Sequence, residues 1–108
     1  MLPFLRLTSR NIIPTNDIIY LESDWNYTVV YTLDNSRYVS GFTLKVLEKR
    51  IADSNFLRIN RGLLINSQYI RRLCSNKKEA FVMMKNGEML PVSRRKYDLI
   101  KESITADW

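Results

Sequence analysis

Short apolar runs separated by polar turns dominate the first part of the chain. Apolar and polar residues alternate over residues 4–8, and the polar residues 9–11 lead into Ile12-Ile13 before Pro14 ends the run, which predicts a short opening hairpin. Runs rich in β-branched and aromatic residues predict further strands, because such side chains pack well on a pleated surface. These predicted strands cover residues 17–22, 27–33 and 37–40.

The hydrophobic period then changes from that of a strand to that of a helix. Leu44, Leu47 and Ile51 recur at i, i+3 and i+7, so an amphipathic helix is predicted over residues 43–53 with Thr43 as its N-cap. A second helix is predicted over residues 94–104, with Ser93 as its cap. Between the two helices, strands are predicted at residues 56–59, 63–66, 69–73, 79–85 and 88–92, with a tight turn at Asn86-Gly87.

These elements predict a mostly β fold with short helices, in the α+β class. We expect a single domain over residues 1–108 with its core at about residues 4–104, since 45% of the residues are apolar and can fill one core. The lone Cys74 cannot form an internal disulfide, and no apolar run reaches the roughly 20 residues of a membrane span. A cytoplasmic protein with no membrane partner is therefore expected.

The composition gives no support to catalysis or metal binding. The chain has no histidine and one cysteine, its acidic residues are scattered, and no glycine-rich phosphate loop occurs. Histidine is the commonest general base and metal ligand, so its absence removes the usual chemistry of both kinds of site. We expect no enzyme, no catalytic residue, no metal site, no cofactor and no small-molecule substrate.

The net charge of +6 is concentrated in the second half of the chain. Residues 1–56 contain six basic and six acidic side chains, whereas residues 57–108 contain eleven basic and five acidic ones. Basic groups that neutralise phosphates release condensed counterions and thereby gain affinity for nucleic acid. The asymmetry favours a polyanionic partner, although a basic surface also serves solubility alone.

A polar and basic segment, Arg58 to Gly62, interrupts two apolar runs. An arginine at a loop tip can pair with guanine or with phosphate, and the amide of Asn60 can pair with adenine, while Gly62 permits a close approach of the backbone. Two other interpretations remain open at this point. The arginines could simply solvate the strand ends, or Arg58 could pair with a carboxylate at the edge of the core.

A second basic segment lies where the last helix is predicted to begin. Arg94, Arg95 and Lys96 follow Ser93, and cations at a helix N-terminus oppose the helix dipole. An anionic partner would compensate for that placement, and the first amides of the helix together with the Ser93 hydroxyl would favour a phosphate. Lys77 lies in a predicted turn, where solubility alone also explains a cation.

Several short motifs follow one another along the chain: Asp17-Ile18-Ile19-Tyr20-Leu21-Glu22, Asn26-Tyr27, Leu44 with Leu47-Glu48, residues 56–66, Ile70, Asn86-Gly87 and Pro91-Val92-Ser93-Arg94-Arg95. In this order and spacing they resemble the LytTR domain of LytR/AlgR-type bacterial response regulators. The resemblance implies an elongated arrangement of small antiparallel β-sheets with short helices. It also implies that loops, rather than a recognition helix, contact successive grooves of duplex DNA in a bacterial transcriptional regulator or two-component output domain.

Carried onto this chain, the family's contact loops fall at Asn26-Tyr27, at Asn60-Arg61 and at Arg94. Asn60 and Gly62 stand where the family commonly has histidine and serine. Our hypothesis is that bases are contacted by Asn26, Tyr27, Asn60, Arg61 and Arg94, and phosphates by Arg58, Ser93, Arg95, Lys96 and Lys77.

Family members usually carry a receiver domain or a membrane segment ahead of this module. With neither in the sequence, we expect either an excised output domain or a stand-alone regulator. If the parent protein has a receiver, the resemblance implies that its phosphorylation would bring two copies together on paired DNA sites. Two other functions compete with duplex binding. One is a protein-interaction module that pairs through exposed strand edges, and the other is single-strand binding on Trp25, Tyr27 and Tyr31.

Overall fold

The computed structural model describes residues 4–51, 53, 55–76 and 78–105. Ten strands and two α-helices occur within these ranges, and one-turn 3₁₀ helices lie at Thr15–Asp17 and Ser67–Tyr69. The strands are β1 (Phe4–Arg6), β2 (Ile12–Pro14), β3 (Ile18–Asp24), β4 (Tyr27–Thr32), β5 (Arg37–Ser40), β6 (Phe56–Asn60), β7 (Leu63–Asn66), β8 (Ile70–Ser75), β9 (Ala80–Met84) and β10 (Met89–Val92). The helices are α1 (Leu44–Arg50) and α2 (Arg94–Thr105).

The strands form three antiparallel sheets, which confirms the predicted mostly β architecture. β1 and β2 make the opening hairpin, β10-β9-β8 make a three-stranded sheet, and β5-β4-β3-β7-β6 make a five-stranded sheet. The molecule is elongated, with extents of 44 × 31 × 24 Å, as the resemblance implied.

The five-stranded sheet lies between two hydrophobic clusters. Leu63 and Ile65 of β7 belong to one cluster, which also contains Ile100 of α2, whereas Leu64 belongs to the other, with Leu47 of α1. Successive side chains of a strand point to opposite faces, so a strand covered on both faces needs an unbroken apolar run. All four residues of β7 are buried, which explains why its sequence does not alternate.

Helix α1 is shorter than its apolar period predicted. The side chain of Thr43 accepts a hydrogen bond from the amide of Val46 at 3.3 Å, so the predicted N-cap is confirmed. The predicted end at residue 53 was wrong, because Ile51 has an extended backbone and Asp53 accepts a hydrogen bond from the amide of Asn55. The chain there is already turning into β6.

Helix α2 has nearly the predicted bounds. The carbonyl of Ser93 accepts hydrogen bonds from the amides of Lys96 at 3.0 Å and Tyr97 at 3.1 Å, so the helix starts where the sequence predicted. Neither α1 nor the described extent of α2 is long and apolar enough to cross a membrane.

Candidate nucleic-acid interface

Three loops that are distant in sequence meet at one end of the five-stranded sheet. β3 pairs with β7 so that Glu22 lies opposite Leu63, and just beyond this pair the amide of Ser23 donates to the carbonyl of Gly62 at 2.8 Å. The amide of Ser93 donates to the carbonyl of Ile59 at 2.8 Å, which joins the start of α2 to β6. The turns after β3 and β6 and the first turn of α2 are therefore neighbours.

Asn60 fastens the middle loop to the chain that leads into α2. Its side-chain NH₂ donates to the carbonyl of Pro91 at 2.8 Å, and its Oδ1 accepts from the amide of Gly62 at 2.7 Å. Both ends of the amide thus have a partner inside the chain, although the NH₂ group has a second N–H. A contact between Asn60 and a base stays a prediction, and the geometry adds a structural role.

Arg58 holds the same loop from its other side. Its Nε donates to the carbonyl of Asn60 at 2.9 Å, and its Nη2 donates to the carbonyl of Arg61 at 2.5 Å. Its Nη1 forms an ion pair with Glu48 of α1 at 2.5 Å. This pairing with a carboxylate at the edge of the core is one of the alternatives left open by the sequence. A phosphate contact by Arg58 stays a prediction.

Most of the predicted phosphate and base contacts of the last two loops line one concavity. Its volume is about 400 Å³, and its lining residues are Arg58, Asn60, Arg61, Ser93, Arg95 and Lys96. Arg61 and Arg95 are exposed and Lys96 is half-buried, and within the described part of the chain the single ion pair in the lining is that of Arg58. Among the described residues, three cations therefore line this concavity without an ion-pair partner there.

Arg94 points to a different place from its neighbour Arg95. Its Nη2 donates to the carbonyl of Lys78 at 3.0 Å, and it lines a second cavity of about 240 Å³ with Lys78 and Tyr97. Adjacent residues on a helix point about 100° apart, and this rotation directs Arg94 to the second cavity and Arg95 to the first. Lys77, next to Lys78, lies outside the described residues.

The β3–β4 turn presents its side chains to solvent. Asp24 pairs with Tyr27, so Trp25 and Asn26 form a two-residue turn at the tip of the hairpin. Tyr27 is 56% exposed and Trp25 is 94% exposed, and Trp25 has a φ of 56°. Asn26 and Tyr27 were predicted to contact DNA. From the sequence, Trp25 could stack on a base or cover the sheet edge, and only the single-strand alternative used it.

A polar groove adjoins these loops on the sheet surface. It has a volume of about 610 Å³, and Tyr20, Glu22 and Tyr31 line it together with Asn60 and Gly62. The rings of Tyr20 and Tyr31 stack with centroids 4.4 Å apart, so Tyr20 covers one face of the Tyr31 ring. Burial, followed by the neighbouring Glu22 carboxylate, raises the pKa of Tyr31, whose hydroxyl donates to that carboxylate at 3.2 Å.

Known proteins are similar to this chain over most of its length. The LytTr DNA-binding domain family matches residues 9–105. Sensory transduction protein LytT of Bacillus subtilis (strain 168) is 38% identical over 84 residues, which are 77% of this chain and 34% of that protein. The heme-containing CO-sensing transcriptional regulator RcoM 1 of Paraburkholderia xenovorans (strain LB400) is 30% identical over 103 residues, which are 94% of this chain and 38% of that protein.

A solved structure has the same fold. The LytTr DNA-binding domain of a putative methyl-accepting/DNA response regulator from Bacillus cereus superposes with a TM-score of 0.75, at 22% identity and with 94% of each chain covered. The chain spans about a third of the length of the two curated relatives described above.

Proposed function

The chain belongs to the LytTr DNA-binding domain family, and we propose that it binds double-stranded DNA selectively by sequence through its basic loops. Membership of the family makes it a DNA-binding domain. The proposal adds the duplex form of the DNA, the selectivity and the residues in contact. The observation that carries it is the convergence of Arg61, Arg95 and Lys96 on one concavity beside the first turn of α2.

Phosphate binding is the role of the α2 side of this concavity. Arg95 and Lys96 supply positive charge, and Ser93 adds a hydroxyl next to the first amides of a twelve-residue helix, whose dipole also favours an anion. Lys77 contacts a further phosphate. For Arg58 we propose a positioning role in place of the phosphate contact predicted from the sequence, because each of its three guanidinium nitrogens donates within the chain.

Base reading is the role of the loop tips. Arg61 is exposed at the end of the β6–β7 turn, and a guanidinium there can pair bidentately with guanine. Asn26 and Tyr27 reach the DNA from the β3–β4 turn, and the remaining N–H of Asn60 contacts the base beside Arg61. Arg94, which lines the neighbouring cavity, contacts a base further along the same side of the duplex.

In the cell, this domain is the DNA-binding output of a bacterial transcriptional regulator in the cytoplasm. The two relatives described above, which are two to three times as long as this chain, are a sensory transduction protein and a CO-sensing transcriptional regulator. A partner domain that brings two copies together would let them occupy paired DNA sites, because linkage raises the effective concentration of the second copy.

Selection from a random duplex library, followed by competition binding, tests the proposal. Arg61→Ala and Arg94→Ala should each weaken the selected duplex by about 1 to 3 kcal/mol and relax specificity, whereas Arg95→Ala should weaken selected and scrambled duplexes alike. Arg71→Ala is the matched control, because Arg71 is an exposed arginine of β8 outside the concavity. Equal affinity of the wild-type chain for selected, scrambled and single-stranded DNA would refute the proposal.

A further inference from the structure

Trp25 has a combination of backbone and exposure that folding alone does not explain. Its φ of 56° lies in the left-handed region, which bulky residues rarely adopt, and 94% of its surface is exposed. Glycine or asparagine would occupy such a turn with less strain. A strained backbone that carries an exposed, large apolar ring points to a role outside the fold itself.

The turn also projects beyond the strands on either side of it. Toward the turn, Ser23–Thr28 is the last β3–β4 pair that also contacts other segments of the chain. Thr28 lies opposite Ser40 of β5, and the amide of Ser23 donates to the carbonyl of Gly62. Beyond them, Asp24 and Tyr27 pair only with each other among the described strands. Trp25 is two residues past Ser23, so at the rise per residue of a β-strand its backbone lies roughly 7 Å beyond the end of the sheet. A two-stranded ribbon of this kind fits into a groove of DNA.

The loop that lines the basic concavity lies against the base of this hairpin. A Cβ atom on Gly62 would lie 3.8 Å from the Cβ of Ser23, so the β6–β7 loop that carries Arg61 is in contact with the base of the Trp25 hairpin. Cations that hold the phosphate backbone would therefore bring the ring against the duplex. An indole ring has two apolar faces and few rotatable bonds, so it loses little conformational entropy when it is buried.

We propose that Trp25 is a DNA-contacting wedge whose indole ring inserts at a base step and stacks on the exposed base. The inference rests on the proposed function. Apolar side chains that enter a base step partly unstack it and bend the duplex, and pyrimidine–purine steps yield most easily. Trp25 would thus select DNA by deformability beside the bases that Arg61 contacts through hydrogen bonds.

The test compares Trp25→Ala, Trp25→Gly and Trp25→Phe on the duplex obtained by selection. Trp25→Ala and Trp25→Gly should lose about tenfold or more in affinity, whereas Trp25→Phe should retain most of it because a phenyl ring also stacks. Val39→Ala is the matched control, since Val39 is an exposed apolar residue of β5 and should leave affinity unchanged. Trp25→Gly should raise the melting temperature, because glycine accepts the observed φ, and its loss of affinity would then not reflect unfolding.

Fluorescence measures the contact itself. In a Trp108→Phe background, which leaves Trp25 as the single tryptophan, duplex DNA should protect the indole from acrylamide. 2-Aminopurine placed in turn at each position of the selected site should change its fluorescence at one step, because its stacking changes there. The change should occur with the Trp108→Phe chain and not when Trp25→Ala is added.

Two results would overturn the inference while the proposed function stands. One is an indole that stays accessible to acrylamide in a saturated specific complex, together with unchanged affinity of Trp25→Ala. The other is protection that rises with protein concentration in the absence of DNA, because the ring would then contact a second copy of the chain. A wild-type chain that does not distinguish the selected duplex from a scrambled one would instead refute the proposed function.

Discussion

Substitutions of Arg58 distinguish two possible roles of this residue, namely positioning the β6–β7 loop and contacting DNA directly. Arg58→Met removes the donors to the carbonyls of Asn60 and Arg61 and leaves Glu48 without its ion-pair partner. Arg58→Lys keeps the positive charge but cannot reproduce three bonds in three directions, because an ammonium lacks the planar fork. Glu48→Gln removes only the ion pair.

The expected loss of stability follows from the exposure of these groups. The side chains of Arg58 and Glu48 are 25% and 39% exposed, so water screens their ion pair and it contributes at most about 1 kcal/mol. The two hydrogen bonds to loop carbonyls contribute about 1 kcal/mol each, since water can solvate the carbonyls once the donor is gone. Arg58→Met should therefore lower the free energy of unfolding by about 2 to 3 kcal/mol, and Glu48→Gln by less than about 1 kcal/mol.

DNA affinity should fall for a different reason. If the loop is no longer held, binding must order it, and fixing the backbone of one residue costs about 1 to 2 kcal/mol, which corresponds to about tenfold in affinity. The slope of log affinity against log salt should not change, because no phosphate contact is lost. Titration of selected duplex with each variant at several salt concentrations, beside urea unfolding, measures both effects. A decrease of about 0.9 in the salt slope is expected when one phosphate contact is lost. The positioning role would be refuted if Arg58→Met showed this decrease and Arg58→Lys did not.

Three further changes test other parts of the structure. Arg95→Gln should lower the salt slope by about 0.9 while the exposed Arg71→Gln leaves it unchanged, and equal slopes would exclude a phosphate contact by Arg95. Gly62→Ala should stabilise the chain by about 0.4 to 1 kcal/mol in urea unfolding, because an added Cβ would lie 3.8 Å from its nearest atoms and the φ of Gly62 is not positive. Gly87→Ala should destabilise the chain, because Gly87 has a φ of 91°. Burial raises the pKa of Tyr20 well above 10.0, so the buried neutral phenol contributes fully to stability below pH 10, and this contribution is lost as the pH rises further. The melting temperature should therefore fall above pH 10, and it should fall less steeply in Tyr20→Phe.

The sequence predicted the secondary structure well where local periodicity decides it. The helix at residues 94–104 and the β7 strand at residues 63–66 lie almost where expected, because an amphipathic period and a short apolar run are strong local signals. The 3₁₀ turn Ser67–Tyr69 was missed. Its signal was present, since Asn66 accepts a hydrogen bond from the amide of Gln68, but an asparagine before a polar residue is equally typical of an ordinary turn.

The composition of the candidate site was predictable, but its arrangement was not. Basic interruptions of apolar runs identified Arg61 and Arg95, yet their approach depends on the bond between Ser93 and Ile59, which are far apart in the chain. The partner of Arg58 lies ten residues away on α1, where local rules say nothing about contact. Arg94 and Arg95 look equivalent in sequence. Their separation follows from the rotation of α2, which is set by burial of Ile100 in the core.

Two features that destabilise the free chain lie at the same end of the sheet. Cations in the first turn of α2 oppose the helix dipole at about 0.3 to 1 kcal/mol each, and the positive φ of Trp25 adds about 1 to 3 kcal/mol of strain. Local rules are otherwise followed in the opening hairpin and in the Thr43 cap of α1. Both features lie at the end of the sheet that carries the concavity of Arg61 and Lys96. In the proposed complex, bound phosphates would relieve the repulsion and DNA would cover the exposed ring.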